Sequence, residues 1–241
     1  MTDGIVKENA TDRANTDAAD RANIDTVLFD LDGTLMDSNG LISASWRYTV
    51  GTLTGRSISD DDIRSTLGEI LVDSMVRIMP EIDPEVSLET YRVWQRERFL
   101  DQIILYDGAE DLLRTLKENG YKTALVTSRM RGSTERALAH FGIDGFFDEV
   151  LTADDTTIFK PDPAPIFLIL DRLGSKPENA IFIGDTNHDI EAGLAAGVFT
   201  VLVDWSFALP PEKRAAFEKP DAVIDKLPDI LEILGLPSAH A

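Results

Sequence analysis

Residues 26–35 read TVLFDLDGTL, an unbroken apolar run that ends in two aspartates and a glycine. A Val-Leu-Phe run with no polar alternation suits a parallel strand covered on both faces, which confines the chain to a narrow set of α/β folds. Period two puts Asp30 and Asp32 on one side if strand geometry persists. Gly33 then permits a backbone conformation that a residue with a Cβ resists. Open α/β sheets bind ligands outside the carboxyl ends of their strands, where these carboxylates fall. Chemically, Asp30 is a candidate nucleophile and metal ligand, and Asp32 a candidate proton donor and acceptor. The plain alternative is a strand ending in a polar turn, which Asp-Gly often marks.

The rest of the chain repeats the demand for a layered sheet, after one interruption. Beyond residue 38, Ile42, Trp46, Thr49, Val50 and Leu53 recur at helical spacing. Ser59 with three aspartates behind it predicts a helix start. Leu71, Met75 and Met79 mark a helix closed by Pro80, and Asp83-Pro84 opens a longer one through Leu88, Tyr91 and Phe99. Residues 39–105 are too long for a loop and are expected to form an inserted helical cap domain. From residue 106 strands and helices alternate. The apolar stripe of Ala109, Leu112, Leu113 and Leu116 is followed by the strand KTALVTS and a helix near 133–141. A short strand at 149–152, a helix after Asp162-Pro163, the strands AIFIGD and VFTVLVD, and a final strand and helix over 221–236 complete the pattern. The expected fold is α/β, a doubly wound, Rossmann-like parallel sheet over 24–38 and 106–241 carrying an α-helical cap. Residues 1–23 are polar, have no periodic face, and are expected to be a disordered acidic tail.

The net charge of −20 argues against nucleic acid and anionic membranes as partners, because both would be repelled at long range. A phosphate substrate would need a cation and a few basic side chains to overcome that field locally. There are no cysteines, hence no disulfide and no thiolate metal site. No apolar stretch is long enough to cross a bilayer and the start lacks a leader pattern, so a cytoplasmic location is expected. The pattern carries no signal for an oligomeric state.

Four strand ends carry polar residues able to meet at one edge. Asp30 and Asp32 follow the first strand, and Thr127, Ser128, Arg129 and Arg131 follow the second. Lys160 precedes a capped helix, and Asp185 ends a buried strand with Asp189 one helical turn on. Taken singly each has a plain reading. Thr127 ends a strand, Lys160 and the arginines are surface charges, Asp185 caps a helix, Asp189 is a solvated acid and His188 is exposed. Together, carboxylates, a lysine and a hydroxyl suit phosphoryl transfer. Carboxylate oxygens are ligands for Mg²⁺, and a carboxylate nucleophile divides phosphate hydrolysis into two displacements.

In order, FDLDGTL, LVTSR, KPDP and GDTNHD resemble the four motifs of the haloacid dehalogenase superfamily, most closely its phosphoglycolate phosphatase and pyrophosphatase branch. The resemblance implies nucleophile Asp30, acid/base Asp32, phosphate contact Thr127 and stabilising Lys160. It implies Mg²⁺ held by Asp30, Asp185 and Asp32 (through its carbonyl), with Asp189 ligating or supporting the metal. Gly33, Thr34, Ser128, Arg129 and Gly68 make up the expected substrate-binding set, Gly68 lying in a cap loop. Arg47, Arg64 and Arg77 are further cap candidates for meeting an anionic substrate, with surface placement the default. The implied activity is phosphatase action on a small phosphorylated metabolite, either a phosphoglycolate-like monoester or pyrophosphate. The rivals are a phosphosugar mutase of the same fold and a module signalling through phospho-aspartate.

Overall fold

The computed structural model describes residues 23–237, so all but the last residue of the expected tail falls outside the described residues. Strands β1 (Thr26–Phe29), β4 (Lys122–Val126), β5 (Glu149–Leu151), β6 (Ala180–Gly184), β7 (Phe199–Val203) and β8 (Ala222–Ile224) form one sheet in the order β5-β4-β1-β6-β7-β8. Every pairing in it is parallel. β1 is central because its apolar run leaves no face for water; Val27, Leu28 and Phe29 are fully buried.

Side-chain alternation splits β1 between two cores. Val27 and Phe29 join Leu125, Ile181 and Ile183 on one face, packed against helices α5 (Ala109–Glu118) and α6 (Arg131–Phe141). Leu28 joins Ala124, Val126 and Phe182 on the other, against α7 (Ala164–Leu173) and α8 (Asn187–Ala196). The short helix α9 (Asp229–Ile233) closes the first face through Ile230 and Leu231.

The sheet register sets the site. Phe29 pairs with both Leu125 and Ile183, so the residues after all three strands emerge at one edge. Asp30 N donates to Ile183 O (2.9 Å) and Thr127 N to Leu151 O (3.0 Å), extending the ladder by one residue. The chain leaves β1 toward β4 and β5, then returns to its other side at β6. That reversal is the switch point at which open sheets bind ligands.

Between β1 and β4 lie helices α1 (Asn39–Thr54), α2 (Asp60–Arg64), α3 (Leu71–Ile78) and α4 (Pro84–Arg98). Their caps match the residues that predict them. Ser59 accepts from Asp62 N (3.1 Å), and Asp83 accepts from Glu85 N (2.8 Å) ahead of Pro84. They share an apolar cluster of their own, with Trp46 and Tyr91 in edge contact at 5.5 Å between centroids. The segment is closed by a two-residue antiparallel ladder, β2 (Met36–Asp37) with β3 (Ile104–Leu105), which the sequence pattern does not announce.

Candidate active site

The edge above β1, β4 and β6 opens into a cleft of about 610 Å³ that also reaches the helical insert. Asp30, Thr127, Lys160, Asp185 and Asp189 all come to its floor and are buried. Lys160 organises them, and its three N–H donors are all used. They reach Asp30 Oδ1 (2.8 Å), Asp189 Oδ1 (2.6 Å) and Val126 O (2.9 Å). Burial alone would lower the Lys160 pKa, but Asp189 and Asp30 hold it above the ordinary lysine value.

One oxygen from each of Asp30, Asp185 and Asp189 lies within 4.8 Å of the others. Burial pushes Asp30 up to about 7, with repulsion from Asp189 and Asp32 only partly offset by Lys160. Burial likewise raises Asp185 well above the usual carboxylate range, with Asp189 and Asp30 adding to it. Asp189 is held low despite its burial, because Lys160 and Thr186 stabilise its charge. Both its oxygens are committed, Oδ2 accepting from Thr186 N (3.0 Å) and Thr186 Oγ1 (2.6 Å) in a capping box at the start of α8. Asp185 differs, since its buried Oδ1 has no hydrogen-bond partner among the described residues. A buried, unpartnered carboxylate oxygen facing two other carboxylates fits a divalent cation held by oxygen donors.

Gly33 makes this approach possible. Its φ is +82°, and a Cβ there would lie 2.2 Å from Asp185 Oδ2. Trp205 Nε1 pins the turn from outside by donating to Gly33 O (3.1 Å), and Ser206 Oγ donates to Asp185 O (2.5 Å). The sequence reading missed both; neither falls in a motif. Gly33→Ala is expected to cost about 1–3 kcal/mol in stability through the left-handed backbone alone. It should also weaken any divalent-cation binding at the carboxylate trio by at least about tenfold by displacing Asp185. Thermal unfolding and a calorimetric Mg²⁺ titration check this; unaltered affinity would contradict the placing of Asp185.

Asp32 stands apart from the carboxylate trio. Arg129 grips it with two bonds, Nε to Oδ2 (2.8 Å) and Nη2 to Oδ1 (2.7 Å), and Ser38 Oγ adds a third at 2.5 Å. Burial would raise its pKa, but Arg129 and Ser38 bring it below the ordinary value. The sequence reading counts Arg129 among substrate contacts, whereas here its fork is spent on Asp32 and its guanidinium lies 4.7 Å over the Phe99 ring. A planar guanidinium that is only 8% exposed takes the nearest carboxylate rather than standing free. Arg131 turns away to Asp155 (2.5 Å).

Thr127 Oγ1 accepts from Arg129 N (3.2 Å), while Thr34 is fully buried and its hydroxyl has no hydrogen-bond partner among the described residues. Ser128 Oγ donates to Gly68 O (3.3 Å), which joins the insert to the core directly over the site. Gly68, at φ +85°, lies so close to α8 that a Cβ would be 2.7 Å from His188 Nδ1. His188 is therefore half-buried instead of exposed as expected. Arg47, Arg64 and Arg77 face other partners, namely Asp60, Asp61 and Glu69, and do not line the cleft.

The family model for haloacid dehalogenase-like hydrolases matches residues 27–203, spanning every residue of this floor. The chain belongs to that family. This hydrolase is 37% identical over 213 residues to the pyrophosphatase PpaX of Halalkalibacterium halodurans, covering 88% of this chain and 98% of the relative. Among solved structures it is similar to one described as a predicted phosphoglycolate phosphatase from Haemophilus somnus. That match has a TM-score of 0.77 and 25% identity over 88% of this chain and 98% of the other. A β-phosphoglucomutase from Clostridium difficile superposes with a TM-score of 0.72 at 22% identity, covering 88% and 97%, which shows the fold alone.

Proposed function

We propose that this hydrolase is a cytoplasmic, Mg²⁺-dependent phosphatase. Its substrate would be a small phosphorylated metabolite, a phosphoglycolate-like monoester or pyrophosphate, and the reaction would pass through an aspartyl-phosphate on Asp30. The observation that carries the reading is the Lys160-centred floor, with Asp30 facing the cleft beside the unpartnered oxygen of Asp185. The names of the relatives support it. Asp30 and Asp185, braced by Asp189, would hold the cation, with Asp32 contributing through its carbonyl. When bound, the ion would neutralise charge on the transferring phosphoryl oxygens.

The protein's own groups do the rest. Asp30 attacks phosphorus as the bond to the leaving oxygen breaks, and Asp32, which must first take up a proton because Arg129 and Ser38 hold it charged in the free protein, delivers that proton to the leaving oxygen. Asp32 then takes a proton from water as the water attacks phosphorus and the bond to Asp30 breaks, releasing phosphate. Lys160 holds the Asp30 carboxylate in place and favours its charged form, while Thr127 and Ser128 stand at the strand end to orient the phosphoryl oxygens.

Release of phosphate from a metabolite panel is expected to stop with chelator and return with Mg²⁺. Release of free phosphate, without transfer to a second position of the substrate, also separates a phosphatase from a mutase. Chelator-resistant release would contradict the reading.

The same preparations carry a pH signature. Asp30 and Asp185 titrate higher folded than unfolded, so the metal-free folded state binds more protons between the ordinary 3.8 and about 7. Stability without metal should therefore fall as pH rises through that window. Saturating Mg²⁺ should raise Tm by about 5–10 °C at neutral pH, and by progressively less toward pH 4.

A further inference from the structure

Every described arginine outside the cleft has a carboxylate oxygen within 4.0 Å. Arg92, Arg96 and Arg136 line the cleft, and among the described residues they have no such partner. Acids are not scarce in a chain with 43 acidic residues against 23 lysines and arginines. The three come from different places and converge. Arg92, Arg96 and Phe99 fall at i, i+4 and i+7, one face of α4 and its C-terminal end. Arg136 comes from α6 across the cleft, with its guanidinium 5.7 Å over the same Phe99 ring that carries Arg129.

Helix-end electrostatics do not account for the group. The negative end of α4 favours Arg96 in the last turn, but Arg92 lies a turn earlier and Arg136 belongs to another helix. Arg98, in that same last turn, is satisfied by Glu97 and by the Trp94 ring.

We propose that Arg92, Arg96 and Arg136 form a second anion-binding subsite, which recognises a carboxylate or phosphate carried on the leaving group of the substrate. The proposal rests on the phosphatase reading above and assigns these three residues to the second anionic end that both of its named substrates carry. Among the described residues the floor of the cleft has no spare cationic donor, since Lys160 is fully committed and Arg129 is spent on Asp32. Uncommitted positive charge lies at the wall and rim. There it locally offsets the field of a chain of net charge −20, which would otherwise repel a substrate with two anionic groups. Guanidinium forks match carboxylate and phosphate oxygens in pairs, so the subsite accepts either group, and Arg136 shares the Phe99 ring with Arg129, the residue that grips Asp32.

The test compares the full-length chain with R92A/R96A and R136A in Mg²⁺, on three substrates. These are p-nitrophenyl phosphate, whose leaving group carries no second anionic group, phosphoglycolate, with a carboxylate, and pyrophosphate, with a second phosphate. The quantity read is the ratio of kcat/KM for each anion-bearing substrate to that for the nitrophenyl ester. Each variant is expected to lower at least one ratio by about tenfold per arginine removed, chiefly through KM. Arginine-to-lysine versions, which keep the charge, should retain part of the preference. Loss in the phosphoglycolate ratio alone assigns the subsite to a carboxylate, and loss in the pyrophosphate ratio alone to a phosphate. Ratios within about twofold of the parent in both alanine variants, with unchanged Tm, would overturn the proposal while leaving the phosphatase reading intact. Failure of the parent to release phosphate from any of the three would overturn both.

Discussion

Asp30→Asn is expected to lower turnover by roughly 10⁴-fold or more while the protein stays folded, because the amide cannot form the acyl phosphate. The fold tolerates the change for reasons visible at the site. The asparagine side chain is isosteric with the aspartate, and its carbonyl oxygen can still accept from Lys160. Lys160 also keeps its bonds to Asp189 (2.6 Å) and Val126 O (2.9 Å). One buried negative charge disappears from a trio that burial already disfavours, so the metal-free variant should be at least as stable as the parent at neutral pH. Stopped activity with an unshifted or raised Tm would separate loss of the nucleophile from loss of the fold. A variant retaining a substantial fraction of activity would refute Asp30 as nucleophile.

Lys160→Met is expected to produce the largest change in stability, about 3–5 kcal/mol, because it leaves buried carboxylates without their countercharge. The ammonium meets Asp30 and Asp189 with side-chain exposures of only 9% and 1%, so water cannot replace it. Asp189 is depressed by Lys160 and contributes stability above the usual carboxylate range, lost as pH falls through its lowered value. Removing the lysine removes that contribution and raises Asp30 further. The deficit should therefore be smallest near pH 4, where the carboxylates protonate cheaply, and largest above pH 7. Urea denaturation across that range, with chelator present, gives the comparison; a deficit independent of pH would show that Lys160 acts by packing alone.

Local chemistry made much of the site readable in advance. β1 announced itself because four buried positions in a row leave no amphipathic alternative, and the strand-end residues followed because parallel register brings Asp30, Thr127 and Asp185 to one edge. What escaped depends on packing between distant segments. Arg129 lies 97 positions from Asp32, and nothing local says that its fork closes on that carboxylate instead of on substrate. Arg47, Arg64 and Arg77 and the cleft-lining pair Arg92 and Arg96 are equally plausible on helical spacing. Which set faces the core is decided by how Trp46 and Tyr91 seat α4 against α1. The β2–β3 ladder is two residues long, too short to show a period. His188 went astray for a similar reason, since the loop that covers it is 120 positions earlier, at Gly68.

The most direct measurement is rapid acid quench of the enzyme with substrate and Mg²⁺, followed by mass spectrometry of the digested protein. The account predicts a phosphoryl adduct on the peptide containing Asp30, removed by hydroxylamine, missing when chelator is present and missing in Asp30→Asn. Steady phosphate release with no adduct on that peptide at any quench time, or an adduct on a different side chain, would contradict it.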